Sequence, residues 1–99
     1  MNEARIVRQI MHRLHKLRLA GEPLFWFKTH GEPSGIPDII VCYNGQFISF
    51  EVKTLLGRLR KDQECLKRRI EGAGGKWYLV RSADEVEQII LSLRDRGDV

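Results

Sequence analysis

The sequence predicts an α/β domain, a mixed β-sheet flanked by helices in the order α-β-β-β-α-β-α. Three observations lead there. Apolar residues recur at helical spacing in three segments. Two β-type runs are separated by Asn44-Gly45 alone, the strongest short hairpin signal. A strand, a helix and a further strand then follow one another between Phe47 and Val80, the pattern of a right-handed crossover unit with parallel strands. With 99 residues, 42% hydrophobic and 30% charged, the chain is long enough for one core and too short for two, so residues 1–99 are expected to form a single domain.

Asn2 to Ala20 reads as an amphipathic helix, with Ile6, Ile10, Leu14 and Leu17 on one side and Gly21 and Pro23 behind it as stop signals. Leu24 to Thr29 is rich in aromatics and reads as a strand. The two Gly and two Pro of His30 to Pro37 make a loop. Ile39 to Tyr43 and Gln46 to Lys53 are the hairpin strands, and Thr54 to Arg60 is a loop. Lys61 to Glu71 is helical up to Gly72, and Lys76 to Arg81 is a strand. Ser82-Ala83-Asp84-Glu85 is a capping box opening a last helix, whose core positions are Val86, Ile89, Ile90 and Leu93.

No run approaches a membrane span, and the charged opening MNEARIVRQIMHRLHK is unlike a signal peptide. Cys42 and Cys65 form no CxxC and read as small buried hydrophobes. A reducing cytoplasm is the expected location. The formal charge of +4 is unevenly spread. Residues 1–20 hold five Lys or Arg against one Glu, residues 53–69 seven against two acids, and residues 82–99 two against five. Two basic segments therefore bracket the hairpin, which suits a polyanionic partner.

A two-residue turn at Asn44-Gly45 pairs Tyr43 with Gln46 and so outward, which sets Asp38 opposite Glu51 on one face, with Cβ atoms roughly 4.5–5.5 Å apart. Lys53, two residues on, shares that face. Two carboxylates so close need a cation between them or a proton on one. Hard oxygen ligands in small number suit Mg²⁺ or Mn²⁺, with the Val52 carbonyl as a further ligand. Lys53 then stands where an ammonium can orient a water or offset charge growing on phosphorus. The plain alternative is a structural ion pair between Asp38 and Lys53.

Gly35-Ile36-Pro37-Asp38, Glu51-Val52-Lys53-Thr54 and the downstream Gln63 resemble the VRR-NUC branch of the PD-(D/E)xK nuclease superfamily, over nearly the whole chain. The resemblance implies a restriction-endonuclease-like fold with Asp38 and Glu51 on the metal, Lys53 assisting the attacking water and Gln63 supporting the site. It also implies an acid on the first helix. Glu3 is the candidate, and it shares a helical face with Val7, Ile10 and Leu14. A Glu favoured by the helix dipole explains it equally.

Arg58, Arg60 and Lys61, just past the site strand, are the first candidates for DNA-backbone contact. Ser34 and Gly35 offer backbone N–H groups to a phosphate, and His30 lies in the loop before the site. The resemblance implies a Mg²⁺- or Mn²⁺-dependent endonuclease leaving 5′-phosphates. For a stand-alone chain this short it implies phage or bacterial forms acting on branched DNA such as four-way junctions. A homodimer would present two sites to a symmetric junction. The competing classes are a non-catalytic nucleic-acid-binding module and an interaction protein of a repair or packaging complex.

Overall fold

The computed structural model describes residues 2–95. Its elements are α1 (Glu3–Leu19), β1 (Leu24–Lys28), β2 (Ile39–Tyr43), β3 (Gln46–Val52), α2 (Lys61–Gly72), β4 (Lys76–Val80) and α3 (Ala83–Ser92). All seven stand where the periodicity and turn signals put them, with ends displaced by one residue at most.

Local chemistry explains the boundaries. Asn2 caps α1, its side-chain oxygen accepting the Arg5 N–H at 2.8 Å. Ser82 does the same for α3, accepting the Glu85 N–H at 3.2 Å. The return half of that expected box is offset by one residue, because the Glu85 carboxylate accepts from the Arg81 N–H at 3.0 Å. Between β2 and β3, Asn44 has φ 50° and Gly45 φ 80°, the pair of left-handed residues that lets a two-residue turn follow the twist of its strands.

The sheet order is β1-β2-β3-β4, with β1-β2 and β2-β3 antiparallel and β3-β4 parallel. The hairpin ladder is regular from Tyr43↔Gln46 to Ile39↔Phe50, so no bulge shifts the register that leads outward to Asp38 and Glu51. Alternation then sorts the side chains by face. Ile39, Val41, Tyr43, Ile48, Phe50, Val52 and Val80 are buried with Ile6, Ile10 and Leu14 of α1 and Val86 and Ile90 of α3 in one core. The other face is covered only by α2, which packs on β4 and sets Lys67 over the Trp77 ring at 5.0 Å.

That partial cover leaves the β1-β2 half of the second face open. Phe25, Phe27 and Phe47 are exposed there. Both cysteines are exposed as well, contrary to the expectation of buried hydrophobes. Cys42 pairs with Phe25 and Phe47 on the open face. Cys65 sits two residues past Gln63, the one buried residue of α2, and so points away from the sheet. Among the described residues no helix is long and apolar enough to cross a membrane.

The seat of α2 depends on one glycine. Gly35 has φ +85°, and a Cβ built on it would lie 2.3 Å from the Asp62 carbonyl oxygen. Gly45 has φ +80° but open space around it. Urea unfolding is therefore expected to show Gly35→Ala losing about 2–4 kcal/mol, against about 1–2 kcal/mol for Gly45→Ala. Equal losses would mean that backbone conformation, and not the close approach to α2, sets the cost.

Candidate active site

Glu51 is the penultimate residue of β3 and projects to the α2 side of the sheet. It is 2% exposed. Gln63 of α2 donates from Nε2 to Glu51 Oε2 at 3.1 Å. The same amide accepts the Arg60 N–H on Oε1 at 2.9 Å, which settles which end faces the carboxylate. Lys53 Nζ stands 3.8 Å from Glu51 Oε2 and is itself buried. The other oxygen, Oε1, is sealed from solvent without a hydrogen-bond partner among the described residues.

Burial is the main reason that the Glu51 carboxyl is pushed up from 4.5 to about 8. The neighbouring Asp38 adds its charge and a hydrogen bond to the protonated form, and Glu3 adds a further negative charge. Lys53 pulls the other way. Two carboxyl groups this close share a proton, or a cation in its place.

Asp38 immediately precedes β2. Its backbone is held by Thr29, whose N–H donates to the Asp38 carbonyl at 2.9 Å and whose hydroxyl donates to the Pro37 carbonyl at 2.7 Å. Its Oδ2 accepts the Val52 N–H at 2.7 Å. The Lys53 N–H goes instead to the Val80 carbonyl at 3.0 Å. Because strand amides alternate sides, the Val52 N–H and carbonyl both face the Asp38 edge. Asp38, Glu51, Val52, Lys53 and Gln63 thus converge at one end of β3.

Among the described residues no three His, Cys, Asp or Glu side chains cluster tightly enough to hold a metal by themselves. The donors at hand are two carboxylates and a backbone carbonyl, a set that fits a small hard cation keeping several waters. The orphaned Oε1 and the raised Glu51 carboxyl fit it too, since a cation satisfies both.

The remaining expected residues lie around this centre. Glu3 is exposed in the first turn of α1, where the dipole favours an acid, and its negative charge is the smallest of the influences on the Glu51 carboxyl. Ser34 donates to the Asp62 carboxylate at 2.7 Å, and buried Gly35 packs on the Asp62 backbone. These two residues fasten their loop to the start of α2. Arg60 caps α2 and pairs with Asp62 at 3.2 Å. Arg58, Lys61 and His30 are exposed.

Asp62 carries no motif signal in the sequence. It nevertheless accepts from Ser34, Arg60 and the Gln63 N–H, partners that hold its carboxyl below the usual range. A basic groove of about 620 Å³ also runs between α1 and the start of α3, lined by Arg5, Arg8, His12 and Lys16. Its fifth basic side chain, Arg13, is bound to Asp84 at 2.9 Å and Glu87 at 3.1 Å.

No family model and no curated protein sequence matches the chain. Among solved structures, one described as a VRR_NUC domain matches with a TM-score of 0.70 over 89% of this chain and 92% of that one. The fold is that of a VRR_NUC domain. Sequence identity to that structure is 23%, so what the two share is architecture. The mixed sheet and the α-β-β-β-α-β-α order are those that the periodicity and turn signals predict.

The buried acid has a consequence for stability. The native state keeps the Glu51 proton up to about pH 8, whereas the unfolded chain releases it near 4.5. Between those values the native state binds more protons, so this residue's contribution falls as pH rises, by no more than about 1.4 kcal/mol per unit. Below that window the penalty vanishes, and above it the penalty is complete. Metal-free Glu51→Gln is therefore expected to gain on wild type steadily between pH 5 and 8 in thermal melts. A constant gap between the two proteins across that range would contradict a buried, protonated Glu51.

Proposed function

We propose that the chain is a divalent-metal-dependent, structure-selective endonuclease that hydrolyses phosphodiester bonds in DNA. The observation that carries this reading is the buried Glu51 carboxylate with one orphaned oxygen, set between Asp38 and Lys53 in a VRR_NUC fold. Asp38, Glu51 and the Val52 carbonyl would hold Mg²⁺ or Mn²⁺. Such an ion, when bound, polarises a phosphoryl oxygen and makes a nearby water more acidic.

The side chains supply the rest. Gln63 restrains Glu51 so that its free oxygen keeps one direction. Lys53, shielded from solvent beside Glu51, holds the attacking water and offsets the charge that builds on the phosphate. The water attacks phosphorus opposite the 3′ oxygen and the P–O3′ bond breaks, leaving a 3′-hydroxyl and a 5′-phosphate. Arg58, Arg60 and Lys61 meet the DNA backbone, with Ser34 beside Arg60 on the shared Asp62 carboxylate and His30 in the loop before the site, while Gly35 contributes by seating α2. Glu3 tunes Glu51 from a distance.

The preferred substrate in this reading is branched DNA such as a four-way junction, met by a homodimer. The open sheet face of Phe25, Phe27 and Phe47 offers apolar surface for that association. A light-scattering mass of one chain at micromolar concentration would remove the dimer from the proposal.

The deciding assay compares labelled four-way junction, splayed-arm and linear duplex DNA with Mg²⁺, Mn²⁺, Ca²⁺ or EDTA. Cutting is expected with Mg²⁺ or Mn²⁺ only, and Asp38→Ala and Lys53→Ala should each lower the rate at least about 100-fold while leaving binding in place. Wild type that binds every substrate and cuts none would favour a non-catalytic nucleic-acid-binding module, in which the Asp38–Val52 and Gln63–Glu51 bonds serve only to hold the fold.

A further inference from the structure

Immediately after Lys53 the chain makes a tight turn that displays two neighbouring leucines. Leu55 is 82% exposed and Leu56 89%. The Gly57 N–H donates to the Thr54 carbonyl at 3.0 Å, which puts the leucines at the two corners of the turn. The guanidinium of Arg81, which follows β4 beside the end of β3, donates to the same Thr54 carbonyl. On the inner side Gly57 lies against Lys53, and a Cβ there would come 3.2 Å from Lys53 Cδ. The leucines are thus mounted on a turn braced against Lys53, whose ammonium belongs to the acid cluster.

Their surroundings define what they can meet. Exposed Arg58 and Lys61 follow, with Arg60 between them paired to Asp62, so an apolar tip has cationic shoulders. The complementary object has an apolar interior and an anionic rim, as stacked bases between phosphate backbones do. Aliphatic side chains entering a base step unstack it and bend the duplex. A second copy of the turn fits poorly, because it would bring like charges together.

We infer that Leu55 and Leu56 form a wedge that enters the base stack of the nucleic acid beside the phosphate that Lys53 faces. The inference rests on the nuclease reading above and adds to it the means by which the site gains access to a paired strand. The wedge opens the step, and the basic shoulders hold the displaced backbone. Substrates already open at that step have no need of it.

The test uses Leu55→Ala/Leu56→Ala and, as a conservative rescue, Leu55→Met/Leu56→Met. Both should melt with wild type, since the leucines are outside the core. On a fully paired junction with Mg²⁺ or Mn²⁺ the alanine variant should cut at least ten-fold more slowly, and the methionine variant should recover most of the loss. On the same junction with two unpaired nucleotides at the crossover, all three proteins should agree within two-fold. With Ca²⁺ in place of the active metal, 2-aminopurine scanned across the crossover should brighten on binding wild type and not the alanine variant.

Equal loss on closed and open junctions would overturn the wedge, and so would unchanged cutting and unchanged fluorescence, which leave the nuclease reading standing. A dimer converted to monomer by the alanine substitutions would reassign the leucines to contact between chains. Wild type that neither binds nor cuts DNA would remove the nuclease reading and the wedge together.

Discussion

A carboxylate placed inside a β-sheet layer is the constraint around which the rest of this molecule is arranged. Glu51 lies between Phe50 and Val52 on a strand that is buried on both faces at that point. An unpaired charge there is too costly to keep, so the group must be protonated, hydrogen-bonded or paired. The fold supplies part of each. Gln63 takes one oxygen, Lys53 stands near the same oxygen, and Asp38 faces the pair from the neighbouring strand end. In the ionised carboxylate the second oxygen has no partner among the described residues. Proteins seldom leave such an atom unsatisfied without a use for it.

The cost spreads outward through α2. For Gln63 to reach Glu51 the first turn of α2 must lie close to β3, and the loop 33–37 must pass beneath it. That passage is where Gly35 meets the Asp62 backbone and where Ser34 reaches the Asp62 side chain. The result is an uneven sheet. One face is closed by α1 and α3, and the other is covered only where the acid needs protection. The phenylalanines of the remaining half are left in solvent.

Much of this was legible in the chain itself, for definite reasons. Asn44-Gly45 fixes a two-residue turn because both residues tolerate positive φ, and the period of two then carries the register out to Asp38 and Glu51 without further information. Lys53 follows from the same alternation. Gln63 is different: nothing in its helix marks it as buried, and only the motif resemblance picks it out. Cys42 and Cys65 read as interior because cysteine usually is. Their exposure depends on how far α2 extends over the sheet, a tertiary fact that no local pattern records. Asp62 and the leucine turn were hidden likewise. Asp62 owes its role to a loop 28 residues earlier in the chain, and the stretch 54–57 has the composition of any connection holding a glycine.

Gln63 occupies two roles at once, and this ties the integrity of the site to the weakest part of an ordinary helix. The end turns of helices fray readily, since their amides lack intrahelical partners. Here the N3 side chain that closes the cap on Arg60 is also the one that holds Glu51. The first turn of α2 cannot unwind without releasing the carboxylate, and the carboxylate cannot swing free without loosening the cap. Opening of that single turn is therefore a local unfolding event that disassembles the site, while the core between α1, α3 and the sheet stays intact.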